Sequence, residues 1–102
     1  MRKITKEAIN AFEQGGSYKG TNTTVSNGIL SLFGNRIAFR SPKGSLFISN
    51  AGWDTSTTKE RLNAIEGVHI QQKAGKWYLN SREWSGGWVK VNQITGEWTY
   101  NY

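Results

Sequence analysis

Cysteine is absent from the 102 residues, which excludes disulfides and thiolate metal sites and leaves a structural zinc without its usual ligands. A reducing cytoplasm fits that composition. Histidine occurs once, as His69 beside Gln71 in a strand-like stretch, so metal binding and general-base chemistry lack a neighbouring second ligand or carboxylate. Nowhere do about 18 apolar residues run together, and the opening MRKITKEAIN is charged, so neither a membrane span nor a standard export signal is expected. With one proline, no Gly/Ser-rich linker, no charge block and no regular repeat, residues 1–102 are expected to form one domain.

Carboxylates are also scarce. Seven acidic residues stand against 13 Lys and Arg, for a formal net charge of +6, and none lies between Glu13 and Asp54. Lys19, Arg36, Arg40 and Lys43 fall inside that acid-free span. The imbalance favours acidic partners, whether nucleic acid, acidic protein or anionic surface. No two carboxylates sit at a spacing that local geometry would bring together; Asp54 and Glu83 would need the fold to unite them. The serines and threonines have no GxSxG or SxxK setting, and the GGS and SGG stretches lack the Lys-Ser/Thr of a phosphate loop. The expectation is a binding protein with no enzymatic activity and no cofactor.

Five Trp, four Tyr and four Phe supply the apolar mass, since each can bury about 150–250 Å². Thr5 followed by KEAINAFEQ and the Gly15-Gly16 pair predicts a short helix over residues 6–14, with Thr5 as its N-cap. From residue 23 to 49, β-formers are punctuated at Asn27-Gly28, Gly34-Asn35 and Ser41-Pro42-Lys43-Gly44, which predicts a four-stranded meander. TSTTKERLNAIEG predicts a second helix over residues 58–66, with Thr57 and Glu60 at capping-box spacing and Gly67 as the stop. VHIQQKAGKWYLN predicts a hairpin turning at Ala74-Gly75, and the tail predicts one or two closing strands. The fold class is therefore α+β: a largely antiparallel sheet of a four-strand meander plus C-terminal hairpin strands, with two short helices.

A tight turn fixes which residues face each other, and strand side chains alternate. The three turns then agree on a core face of Val25, Leu30, Leu32, Ile37, Phe39, Leu46 and Ile48. The opposite face reads Phe33, Arg36, Ala38, Arg40 and Phe47, basic residues interleaved with aromatics, as in surfaces that stack bases and neutralise phosphates. Phe33, Arg36, Arg40 and Phe47 are accordingly candidate binding residues. In the later hairpin, Val68, Ile70, Trp77 and Leu79 share an inner face, and Lys73, Lys76 and Tyr78 form a second candidate patch on the other. The segment GWDTSTTKERLN opens a helix whose free amides favour anions, so Lys59 and Arg61 could help cradle a phosphate. The plainer reading docks Trp53 in the core, caps the helix with Asp54 or Thr57, and pairs Arg61 with Glu60 or Glu66.

Three pieces carry a family resemblance. They are Gly52, Trp53, Thr55, Thr57, Thr58 and Arg61-Leu62-Asn63 in GW-x-T-x-TT-x-x-RLN, then GKWYLN at 75–80, then Trp84, Gly86 and Trp88. With TNTTV and LFGNRIAF earlier in the chain, the pattern resembles a group of short tailed-bacteriophage proteins. Ser81-Arg82 and the extra Gly87 depart from it, touching only the last hairpin. The resemblance implies a phage origin and an intracellular role during infection, and implies no activity. The leading functional expectation is a phage accessory protein that binds a host component in the host cytoplasm. Its partner would be a host protein or nucleic-acid machinery with an acidic surface; direct binding of single-stranded nucleic acid is the alternative.

Overall fold

The computed structural model describes residues 3–100. Helix α1 (Lys3–Gln14) buries Thr5, Ala8, Ile9 and Phe12, an i, i+3, i+4, i+7 stripe of the kind that packs a helix on a sheet. It begins before the predicted start. Thr5 is therefore an interior, fully buried helical residue rather than an N-cap. Strands β1 (Tyr18–Lys19), β2 (Thr23–Ser26), β3 (Ile29–Leu32), β4 (Asn35–Arg40) and β5 (Leu46–Ile48) follow. After helix α2 (Ser56–Asn63) come β6 (Ile70–Lys73), β7 (Lys76–Leu79), β8 (Arg82–Glu83), β9 (Val89–Val91) and β10 (Trp98–Tyr100). The architecture is α+β, and every strand pairing among the described residues is antiparallel.

The larger sheet has the order β1-β2-β3-β4-β5-β9-β10, and β6-β7-β8 form a second sheet. The predicted meander corresponds to β2 through β5. The C-terminal strands β9 and β10 extend it beyond β5 instead of lying across a face. One unbroken inner row, Tyr18, Val25, Leu30, Ala38, Ile48, Val89 and Tyr100, crosses all seven strands. Both helices and the inner side of the second sheet meet this row in one continuous core. Tyr100 closes the row at the edge, where its hydroxyl donates to Ser85 Oγ and accepts from the Ser85 amide, both at 3.2 Å, a pairing with Ser85 that holds its pKa below the usual tyrosine value.

The register departs from expectation at two places. The β3–β4 turn is centred on Phe33-Gly34 rather than Gly34-Asn35, with φ of 51° and 79°, and Leu32 faces Asn35. The register then shifts, because Ser31 faces Arg36 whereas Leu30 faces Ala38. Ile37 is thus the extra residue of a β-bulge, which lets two consecutive side chains, Ile37 and Ala38, both enter the core. Beyond it the alternation is inverted. Phe39 leaves the predicted core face and Ala38 takes its place. The β4–β5 loop matches this inversion: Ser41 N–H bonds Ser45 O at 2.9 Å, Gly44 N–H bonds Ser41 O at 2.8 Å, and Gly44 has φ +87°. That is a turn closed by a left-handed glycine, one residue longer than the predicted turn. It places Phe39 opposite Phe47, and Arg40 opposite Leu46.

Helix α2 is capped by Thr55, whose Oγ1 accepts from Thr58 N–H at 3.2 Å; neither Asp54 nor Thr57 is the cap. Trp53 is 54 % exposed rather than docked in the core. Gly67 cannot be replaced easily, since a Cβ there would sit 2.6 Å from the Gln93 carbonyl oxygen and its φ is +82°. This contact draws the end of the α2 segment against the β9–β10 connection.

Candidate nucleic-acid and partner interface

The outward face of the larger sheet follows from the pairings. One row runs Ser26, Ile29, Phe39, Phe47, Lys90, Thr99 across six strands. A second runs Lys19, Thr24, Ser31, Arg36 across four. Ile29, Phe39 and Phe47 are half-buried, whereas Lys19, Arg36, Lys90 and Thr99 are exposed. Neither helix covers this side, since their buried residues belong to the inner core. Phe39 and Phe47 stack with ring centroids 4.7 Å apart and planes at 13°, and Trp88, half-buried, tilts against Phe39 at 5.2 Å. The three rings form one aromatic cluster with an open side.

The strand positions of this face carry charge of one sign, and Glu97 stands at their edge, where it lines an open cavity with Lys90 and Thr99. None of the seven carboxylates occupies an outward position of these strands, and Lys19, Arg36 and Lys90 make no ion pair among the described residues. Arg36 and Lys90 beside the three aromatics, with Lys19 farther along the second row on β1, are suited to attract an anionic partner and offer it a π surface.

Of the four residues first grouped as a patch, Arg36 and Phe47 lie on this face. Arg40 does not: beyond the bulge it turns to the helix side, where its Nη1 donates to Gln93 Oε1 at 2.8 Å and to Gly44 O at 3.3 Å. There its guanidinium lies 5.3 Å from the Phe12 ring and 3.9 Å from Glu13. It ties β4 to α1 and to the β9–β10 connection. Phe33 stands at the hairpin tip, 68 % exposed, and with Trp53 rims an apolar cavity of about 180 Å³ floored by Leu32 and Ile37. Phe39, Trp88 and Lys90 join the face unforeseen. The Pro-Lys-Gly sequence at 42–44 is the signal for Phe39, because a glycine ending such a loop marks the longer turn that puts Arg40 opposite Leu46.

At the start of α2 the plainer reading of Arg61, paired with Glu60, is the one the structure shows, and its guanidinium is not free to help cradle a phosphate. Arg61 is fully buried. Its Nε donates to Thr23 Oγ1 at 3.0 Å, and its Nη1 donates to Glu60 Oε1 at 2.7 Å and to the Thr5 hydroxyl. The guanidinium thus joins α1, β2 and α2 from within. Lys59 Nζ donates to Gln72 Oε1 at 2.8 Å and lies 6.0 Å from the Trp77 ring.

The later hairpin has the expected faces. Lys73 faces Lys76, and Gln71 faces Tyr78. Tyr78 in turn faces Glu83, whose carboxylate lies 3.9 Å from Lys76 Nζ. That patch is therefore of mixed sign, unlike the outward strand positions of the larger sheet. Asp54 and Glu83 do line one open cavity, of about 350 Å³, with Lys76 and Trp77. Among the described residues no group of three or more His, Asp or Glu could hold a metal ion, and no helix is long and apolar enough to cross a membrane.

Fold and size together define a small α+β protein, largely antiparallel, with two helices. The chain belongs to the Kyanoviridae Gp96 protein family, whose model matches residues 1–100. No curated protein and no solved structure matches it.

Proposed function

We propose that this chain is a non-enzymatic phage accessory protein that binds and modulates an acidic component of the host, in the host cytoplasm, through the outward face of its larger sheet. The observation that carries this reading is the combination on one uncovered face of Phe39, Phe47 and Trp88 with Lys19, Arg36 and Lys90 and no carboxylate at its outward strand positions. The rings already pack on one another, so a partner meets them without their being rearranged. Family membership supports the phage role.

The test is capture from host lysate by the wild-type chain and by Arg36→Glu combined with Lys90→Glu, with circular dichroism to confirm folding. Both side chains are exposed, so the double variant should fold. The expected outcome is a partner retained by the wild type, lost by the double variant and weakened as salt rises. Equal retention by both proteins would remove this face from the account.

A further inference from the structure

We propose that the partner taken by this face is single-stranded nucleic acid, a statement that rests on the face being the contact surface. The first reason is chemical composition. Between the aromatics and the cations the outward positions are Thr24, Ser26, Ser31 and Thr99, with Ile29 the one aliphatic residue. Protein interfaces concentrate apolar anchors at their centre and deplete lysine. Hydroxyl side chains and lysines around a small aromatic cluster match instead a surface that meets phosphates and sugars and stacks bases.

The second reason is arrangement. Lys90 stands directly beside Phe47 on the next strand, and Arg36 precedes Phe39 on the same strand, so cations flank the rings on two sides. A strand crossing the sheet along the row from Ile29 to Thr99 would pass the rings and then Lys90. Adjacent strands lie about 4.8 Å apart, so that row is about 19 Å long. At the 3.4 Å per nucleotide of a stacked strand it holds about five nucleotides, and fewer if the strand is extended. That is near the short end of known single-strand sites.

The third reason decides between single and double strands. Rings projecting from a sheet can stack only on bases whose faces are open, and a duplex hides those faces in its own stack. The cations alone would still attract a duplex, so the difference in affinity measures what the rings contribute.

The experiment is fluorescence anisotropy of the full chain with labelled oligothymidylate, oligouridylate and a duplex of mixed sequence, over a salt series. Single strands should bind at least tenfold more tightly than the duplex. With two phosphate contacts, at Arg36 and Lys90, the slope of log K against log salt should be about −1.4. Phe39→Leu with Phe47→Leu keeps apolar side chains but removes the rings, and should weaken single-strand binding about tenfold or more, equal to at least about 1.4 kcal/mol. Arg36→Gln with Lys90→Gln, both at exposed positions, should move the slope towards zero and serves if the leucine variant does not fold. Wild-type protein that binds no single strand at low salt, or leucine and glutamine variants that bind like the wild type, would overturn the proposal. If the lysate partner resists nuclease and is lost on Arg36→Glu with Lys90→Glu while oligonucleotides do not bind, the contact face stands and nucleic acid is refuted in favour of an acidic protein. If capture survives the charge reversal, the face itself is refuted.

Discussion

Arg61→Ala should be among the most destabilising single changes in this chain. The guanidinium is fully buried and satisfied from three elements, by Thr5 of α1, Thr23 of β2 and Glu60 of α2. Removing it leaves two fully buried hydroxyls and a partly exposed carboxylate without their cationic donor, and opens the space of a long side chain. Breaking such a pair costs about 3–5 kcal/mol. The low end is expected here, because Thr5 still donates to Glu60 and Glu60 is 31 % exposed at its side chain. Against a total stability of about 5–15 kcal/mol for a chain of this size, that loss would leave the fold marginal. Urea denaturation should show the midpoint falling with an unchanged slope, and the melting temperature should drop by about 4–8 °C per kcal/mol. Arg61→Met, which refills the space, should recover part of the loss. A cost under about 1 kcal/mol would mean that the guanidinium is not enclosed, and would return Arg61 to the list of surface binding residues.

Three further outcomes follow from the register. Ile37→Ala should cost about 2–5 kcal/mol as a core truncation, whereas Phe39→Ala should cost under about 2 kcal/mol because its ring is half-buried on the outer face; the reverse order in denaturation would undo the bulge assignment. Arg40→Ala should lose about 1–3 kcal/mol with its hydrogen bonds to Gln93 and Gly44, while Arg36→Ala should stay within about 0.5 kcal/mol, and equal losses would contradict their placement on opposite sides. Phe33 holds a left-handed φ of 51° that suits asparagine better, so Phe33→Asn should raise stability by up to about 1 kcal/mol, and a fall in melting temperature would show that Phe33 packing outweighs its backbone strain.

Most elements were legible in the sequence because they carry local punctuation, whereas the two-residue β1 was not expected and α2 runs from Ser56 to Asn63 rather than over residues 58–66. Asn27-Gly28 and Ala74-Gly75 turn where expected, with both residues of each pair at positive φ, and six of the seven residues assigned to the meander's core face are buried. The candidate site was less legible, for a specific physical reason. Face assignment propagates along a strand, so one bulge at Ile37 exchanges Phe39 with Ala38 and sends Arg40 inward. A bulge is stabilised by its neighbours rather than announced by its residues. Lys90 was hidden in another way: its strand joins β5 across a separation in sequence of about forty residues, and no local pattern encodes that pairing. Arg61 shows the converse, since one arginine in a helix reads as solvent-facing until three separate elements close around it.

Amide chemical-shift mapping of the folded chain, titrated with a short oligothymidylate, tests the central claim most directly. Shifts should concentrate at Ile29, Ser31, Arg36, Phe39, Phe47, Trp88, Lys90 and Thr99, with Lys73, Lys76 and Tyr78 of the second sheet unmoved. Shifts confined to the second sheet, or spread evenly over every lysine and arginine, would contradict the assignment of binding to the outward face of the larger sheet.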